Sequence, residues 1–239
     1  MISVAFGTAC GRSRPVAPPT PAAATSTANP AAAAAVTPAG AAPADSDRIA
    51  PDASAESVLV DVRSLDPSIL VDLRYATPRN FTGAVLPGYE AGRALLRREV
   101  AEALVRVQRR LKTGDVGLRI WDAYRPIRAT RAMVTWAERS GRTDLLDQGY
   151  IARRSRHNLG VAVDLTLVDL LSGTELDLGT PFDTFSEAAH TANAEGRVRR
   201  YRELLVRAMA AEGFENLPQE WWHFSYPVPG AQAFDLVIR

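Results

Sequence analysis

The distribution of bulky side chains along this 239-residue chain limits its architecture more than any other feature. Every Trp, Tyr and His lies beyond residue 56, whereas the first ~55 residues hold half of the 16 prolines, the run Ala31 to Ala35 and one aromatic residue, Phe6. A segment so poor in apolar bulk cannot offset the entropy of ordering it, so residues 11–56 read as a Pro/Ala-rich disordered tether. Residues 57–239 have the length and apolar content for one domain with a proper core. The formal net charge of +1, with both signs mixed, gives no reason to expect a nucleic-acid partner.

Cys10 is the single cysteine, which excludes an intramolecular disulfide and a four-cysteine zinc site. It closes the stretch Gly7-Thr8-Ala9-Cys10 after the mostly apolar Ile2 to Phe6. Residues 1–10 resemble the end of a truncated bacterial lipoprotein signal. That resemblance implies a lipidated Cys10, membrane attachment and a periplasmic or outer-membrane location, with a cytoplasmic leader as the alternative. The apolar stretch is shorter than a usual signal core, which a start codon placed too far downstream would explain.

Beyond the tether, Val58 to Leu73 reads as strand, turn, strand. Arg93 to Lys112 reads as a helix, with Leu96, Val100, Leu104, Val107 and Leu111 at helical spacing and Gly114 just past its end. Val116 to Trp121 reads as a strand leading into the loop Asp122 to Pro126, and helices are expected at Ile127–Arg139 and Arg197–Glu212. Val161 to Leu167 alternates, so Val161, Val163, Leu165 and Leu167 face one way and Ala162, Asp164 and Thr166 the other. No βαβ unit repeats and no glycine-rich phosphate loop occurs. The expected class is α+β, a small and mostly antiparallel sheet with helices packed on it.

Two of the three histidines sit in polar, aromatic-framed stretches, Ser155 to Gly160 and Glu220 to Phe224. Asp164 follows His157 at i+7 inside an apolar strand, where a carboxylate is costly unless a cation meets it. Two imidazoles and one carboxylate would leave a zinc ion a fourth position for water. Glu220, three residues before His223, is a natural proton acceptor beside such an ion. Each of these residues also has an ordinary structural role open to it, and no His-Glu-x-x-His helix is present. In a regular strand Glu220 and His223 would face opposite ways, so a bend near Pro218-Gln219 is required.

The pattern Ser-x-His-x-x-Gly-x-Ala-x-Asp at Ser155 to Asp164, together with Glu220-Trp221-Trp222-His223, resembles the zinc peptidases that cut D-alanine peptides of the bacterial cell wall. Further blocks narrow the resemblance to VanX-like D-alanyl-D-alanine dipeptidases: Asp72 to Thr77 with Asn80 to Gly83, Trp121 to Pro126, Asp164 to Leu167, and Gly179 to Asp183. The blocks run in family order over about residues 57–239. The resemblance implies one zinc per chain on His157, Asp164 and His223, with Glu220 as general base. It also implies that Arg125 stabilises the tetrahedral intermediate, and that Asp183, Ser155 and Tyr75 lie near the free amine of a small dipeptide. Rival readings are a D,D- or L,D-carboxypeptidase of stem peptides and a zinc-stabilised binding module, the latter at odds with the presence of both Glu220 and Arg125. His190 is expected to be structural or to line the site, and Trp221 and Trp222 to be core and pocket wall.

Overall fold

The computed structural model describes residues 49–239. Its centre is a five-stranded mixed sheet in the order β2 (Leu70–Val71), β4 (Val116–Asp122), β5 (Ala162–Asp169), β7 (His223–Ser225), β6 (Glu215–Asn216). β2 runs parallel to β4 and the other neighbours are antiparallel. A second, two-stranded antiparallel sheet joins β1 (Leu59–Asp61) to β3 (Leu95–Arg97). Short helices α1 (Asp52–Val58), α2 (Val62–Leu65) and α5 (Asp144–Asp147) accompany three longer ones, α3 (Arg98–Lys112), α4 (Ile127–Arg139) and α6 (Gly196–Ala210). The α+β expectation, with a mostly antiparallel sheet and packed helices, is met. The expected signal and tether, with Cys10, lie outside the described residues.

Two expectations shift locally. The helix expected from Arg93 begins only at Arg98, because Leu95 to Arg97 pair with Leu59 to Asp61 instead. Ala94, Leu95 and Leu96 are all buried, and the Leu95 carbonyl accepts from the Tyr124 amide. Tertiary pairing here outweighs local helical preference. Between β1 and β2 the chain forms the single helical turn α2, with Asp61 capping it by accepting from the Arg63 amide at 3.1 Å.

Helix α4 occupies the expected residues, and α6 lies within a residue or two of its expected bounds. In α3, Val100, Leu104, Val107 and Leu111 are buried along one side, and the helix packs on β4, while α6 packs on β5. The strand β5 is covered on both faces, with Ala162 to Val168 buried throughout. Gln108 of α3 is fully buried yet satisfied: its Oε1 accepts from the Leu118 amide at 2.9 Å and its Nε2 donates to Ser68. Helices α3 and α6 thus pack on the strands that carry Asp122 and Asp164, while α4 reaches the same region through Met133, whose Sδ lies 3.4 Å from Arg125 Nη1.

Candidate active site

The strand register sets three polar residues in a row. Asp122 of β4 lies opposite Asp164 of β5, and Asp164 lies opposite His223 of β7. Residues directly opposite on antiparallel strands present their side chains to the same face. A register irregularity between Ile120 and Asp122 aligns Asp122 with this row and lets Trp121 donate its indole N–H to Glu175 Oε1 at 3.1 Å.

His157 arrives from a 3-10 turn, Arg156–Leu159, immediately before β5. Ser155 Oγ accepts from the His157 amide at 3.2 Å, and Asn158 Oδ1 accepts from the Ser155 amide at 3.2 Å, which forms a capping box. Gly160 ends the turn at φ 68, and a Cβ there would lie 2.5 Å from Leu59 Cδ2. Glycine meets both demands without strain. The spacing of the Ser155 to Asp164 motif is thus a cap, a ligand-type residue, a left-handed stop and a strand position in succession.

The His157 Nδ1–H donates to the Ala123 carbonyl at 2.6 Å, which leaves Nε2 with its lone pair directed into the site. That Nε2 lies 3.2 Å from His223 Nδ1 and 3.3 Å from Asp164 Oδ2, and His223 Nδ1 lies 2.9 Å from Asp164 Oδ1. Donor atoms around a tetrahedral zinc ion, bound at about 2.0–2.1 Å, sit about 3.3 Å apart. The donor set and its spacing therefore fit zinc. So does the charge balance: Asp122, Asp164, Asp183 and Glu220 converge here with Arg125 as the buried guanidinium among them. Burial pushes the Asp164 carboxyl up, but His157 and His223 more than reverse this and hold it well below the usual carboxylate range.

Glu220 precedes β7 in a tight bend, where its amide donates to the Leu217 carbonyl at 2.9 Å and its carbonyl accepts from the His223 amide at 3.2 Å. The required bend near Pro218-Gln219 is present, and it brings Glu220 Oε2 to 3.9 Å from His223 Nδ1. Burial, with Asp164 adding to it, pushes the Glu220 carboxyl up to about 8.

Arg125 follows the row on the loop after β4. Its Nε and Nη2 donate to Asp122 Oδ2 at 2.9 and 2.8 Å, and Nη2 lies 3.6 Å from Asp164 Oδ2. Burial works against its charge, but Asp122 and the surrounding groups hold it well above the ordinary arginine value. Its guanidinium stands 5.0 Å over the Tyr75 ring, and Tyr75 Oη donates to Asp183 Oδ1 at 2.9 Å. Asp183 has a left-handed backbone (φ 59), and its Oδ2 is shut off from solvent with no hydrogen-bond partner. Although the residue as a whole is only partly buried, burial of the carboxyl itself pushes its pKa well above the usual range. The neighbouring rings of Phe81, Tyr89 and Phe182 pack against Tyr75 and keep this end dry.

The residues singled out in the sequence are therefore connected, with Asp183 joined to the centre through Tyr75 and Arg125. Ser155 enters as the cap that sets the His157 turn. His190 contacts Tyr150 Oη at 3.2 Å and is not part of the His157–Asp164–His223 group. Trp221 and Trp222 are buried. Sequence reasoning missed Tyr89, whose hydroxyl donates to Asp122 Oδ1, and Asn158, whose Nδ2 donates to the Arg125 carbonyl at 2.8 Å and to Thr130 Oγ1 at 2.9 Å. Asn158 at the third position after Ser155 carried a capping signal, whereas Tyr89 lies too far along the chain from Asp122 to give one. A cavity of about 770 Å³ shares Asp183, Phe182, Trp121 and Trp221 but is lined by none of the three clustered donors, so donor chemistry and not cavity size locates the centre.

Two imidazoles and a carboxylate converging on one point, with a buried glutamate and a fixed arginine beside them, form a candidate metal centre of the kind metallohydrolases use. The chain belongs to the D-Ala-D-Ala dipeptidase family, whose model matches residues 55–235, and is a zinc metallopeptidase of that type. It is 36% identical over 187 residues to a D-alanyl-D-alanine dipeptidase of Enterococcus faecium, a match covering 69% of this chain and 90% of the relative. The like-named protein of Streptomyces coelicolor is 36% identical over 169 residues (63% of this chain, 82% of the relative). That of Escherichia coli is 34% identical over 155 residues (64% and 76%). Among the described residues no helix is long and apolar enough to cross a membrane.

Proposed function

We propose that this protein hydrolyses free D-Ala-D-Ala, or a closely similar small dipeptide, to its two amino acids, with one zinc per chain held by His157, Asp164 and His223. The observation that carries the reading is the convergence of His157 Nε2 and His223 Nδ1, 3.2 Å apart, on the Asp164 carboxylate, each within 3.3 Å of one of its oxygens, with Glu220 beside them and outside the set. The names of the relatives support D-Ala-D-Ala as the substrate class. Zinc, when bound, supplies a Lewis acid that acidifies water and polarises the scissile carbonyl. Glu220 takes the proton from the attacking water and returns it to the leaving amine. Arg125, charged and pinned by Asp122, presents its fork to the oxygen on which negative charge develops. Asp183 receives the substrate's ammonium group, with Tyr75 ordering its other oxygen and Ser155 on the adjoining turn.

Asp183 also favours a dipeptidase over a carboxypeptidase. A long acylated peptide brings a neutral amide to that position, which cannot draw the proton off Asp183 and form the ion pair that the free dipeptide gains. The test is metal analysis together with D-Ala release from D-Ala-D-Ala and from a stem pentapeptide. The expected outcome is one zinc per chain, rapid dipeptide cleavage and little pentapeptide cleavage. Glu220→Ala should keep near-full zinc while losing roughly 100- to 10,000-fold in rate. Loss of zinc in that variant would make Glu220 a ligand, and equal release from both substrates would replace this reading with the carboxypeptidase one.

A further inference from the structure

Arg202 of α6 is almost fully buried at 2% exposure, yet no carboxylate lies within ion-pair distance of it among the described residues. All its donors go to backbone carbonyls of one segment. Nε donates to Leu178 at 2.8 Å, Nη1 to His190 at 2.7 Å and Asn193 at 3.4 Å, and Nη2 to Ala188 at 3.1 Å. Leu178 stands at one end of this segment and residues 188–193 at the other, with Asp183 between them. Burial lowers the Arg202 pKa, so the charge is maintained at a cost that an ordinary packing residue would avoid.

The same guanidinium lies 5.7 Å from the centroid of the Trp221 ring. Trp221 repeats the bridging: its indole N–H donates to Thr180 Oγ1 at 2.8 Å, and its amide to the Ala189 carbonyl at 3.1 Å. Gly179 makes the close approach possible, since at φ +96 a Cβ would fall 2.7 Å from Val198 Cγ1 and 3.1 Å from Arg202 Nη2. Glu220 is the residue before Trp221. One stacked pair thus ties both ends of the Asp183 loop to the bend that carries Glu220.

We infer that Arg202 is a positioning residue for substrate specificity: with Trp221 it clamps residues 178–193 and so sets where Asp183 stands relative to Glu220. The inference rests on Asp183 being the amine anchor. A fork of five donors can hold carbonyls at both ends of the loop at once, whereas an ammonium group cannot.

The experiment compares wild type, Arg202→Lys, Asp183→Asn and the double variant as zinc-loaded enzymes. It reads the KM for D-Ala-D-Ala, zinc content, and amide hydrogen exchange across residues 178–193. Arg202→Lys should keep its zinc, exchange faster in that segment and raise KM roughly tenfold, the scale of one charge-assisted hydrogen bond. The double variant should show no higher KM than Asp183→Asn alone, because both act through the same anchor. Unchanged KM and exchange in Arg202→Lys, or KM rises that multiply in the double variant, would overturn the clamp. An unchanged KM in Asp183→Asn with faster loop exchange in Arg202→Lys would instead refute the amine anchor. Should Arg202→Lys fail to fold, Gly179→Ala forces the same loop off α6. It should reproduce the KM rise and its masking by Asp183→Asn, and an unaltered KM in that variant would count against the clamp.

Discussion

Asp183→Asn isolates the contribution of one buried oxygen. In the free protein Asp183 Oδ1 accepts from Tyr75, while Oδ2 has neither solvent nor partner. An arriving ammonium group supplies the missing donor and a charge together, a bond of about 1.5–3 kcal/mol. Asparagine keeps the shape and the Tyr75 contact. With Nδ2 in the unpartnered position it turns an N–H towards the ammonium, so the whole of that bond is lost. The kcat/KM for D-Ala-D-Ala should then fall roughly 10- to 150-fold. N-acetyl-D-Ala-D-Ala gains nothing from the carboxylate, so the preference for the free dipeptide should narrow by about the same factor. The pH dependence has a definite sign. Burial makes Asp183 hold its proton in the empty site, and it must give that proton up to meet the ammonium. Wild-type KM should therefore fall with rising pH until the substrate amine itself deprotonates near pH 8, and the KM of Asp183→Asn should lack that fall. Release of D-alanine from both substrates, followed from pH 5 to 8, measures each quantity. An unchanged preference in Asp183→Asn would place the amine elsewhere.

Three further outcomes are expected. Arg125→Ala leaves Asp122 buried without its ionic partner, so it should destabilise the fold by about 3–5 kcal/mol and lower kcat roughly 100- to 1,000-fold; Arg125→Lys should recover only part of either, as read by urea denaturation and steady-state kinetics. In metal-free protein, the raised Glu220 pKa means that the folded form binds a proton the unfolded chain has released. That stability is fully present below about pH 4.5 and is lost as pH rises to about 8, by up to about 5 kcal/mol, and Glu220→Gln should flatten the difference. We also propose that Cys10 is lipidated: the protein expressed from its own gene should fractionate with membranes and Cys10→Ser should release it, whereas recovery of the unaltered protein in the soluble fraction would exclude lipidation.

The centre was legible because its residues carry local signatures. A carboxylate at Asp164 inside an apolar strand, a Ser-x-His-x-x-Gly turn before it and a glutamate three residues from a histidine each depart from what packing alone would select. The helix α4 was readable for the converse reason, since its periodicity agrees with its burial, and the alternation of β5 marked it as a strand although both its faces are covered. Where the reading slipped, the deciding contact was remote. Nothing near Leu95 shows that Leu59 to Asp61 will pair with it, so a helical pattern was extended five residues, 93–97, into a strand and the stretch before it.

The supporting residues were hidden for the same reason, and they form a consistent set. Asp122 is 0% exposed and joins three partners, two of them remote in sequence: Tyr89 donates to it, the nearby Arg125 is pinned by it, and His157 Nδ1 lies 3.4 Å away. An aspartate after a strand is unremarkable in sequence, because its role depends on a register that sets it opposite Asp164. Arg202 is hidden more completely: on a helix with many arginines it looks like one more solvated charge, and only the fold shows it to be the buried one bonded to main-chain carbonyls. Residues that perform chemistry must offer particular side chains, and those leave traces in a motif. Residues that hold the chemistry in place need only reach it, and the sequence does not record that reach until the chain has folded. The two buried anchors, Asp122 beneath Arg125 and Arg202 behind Asp183, therefore fix opposite ends of one site by the same means, a charge whose burial is tolerated because every bond it makes orders a neighbour.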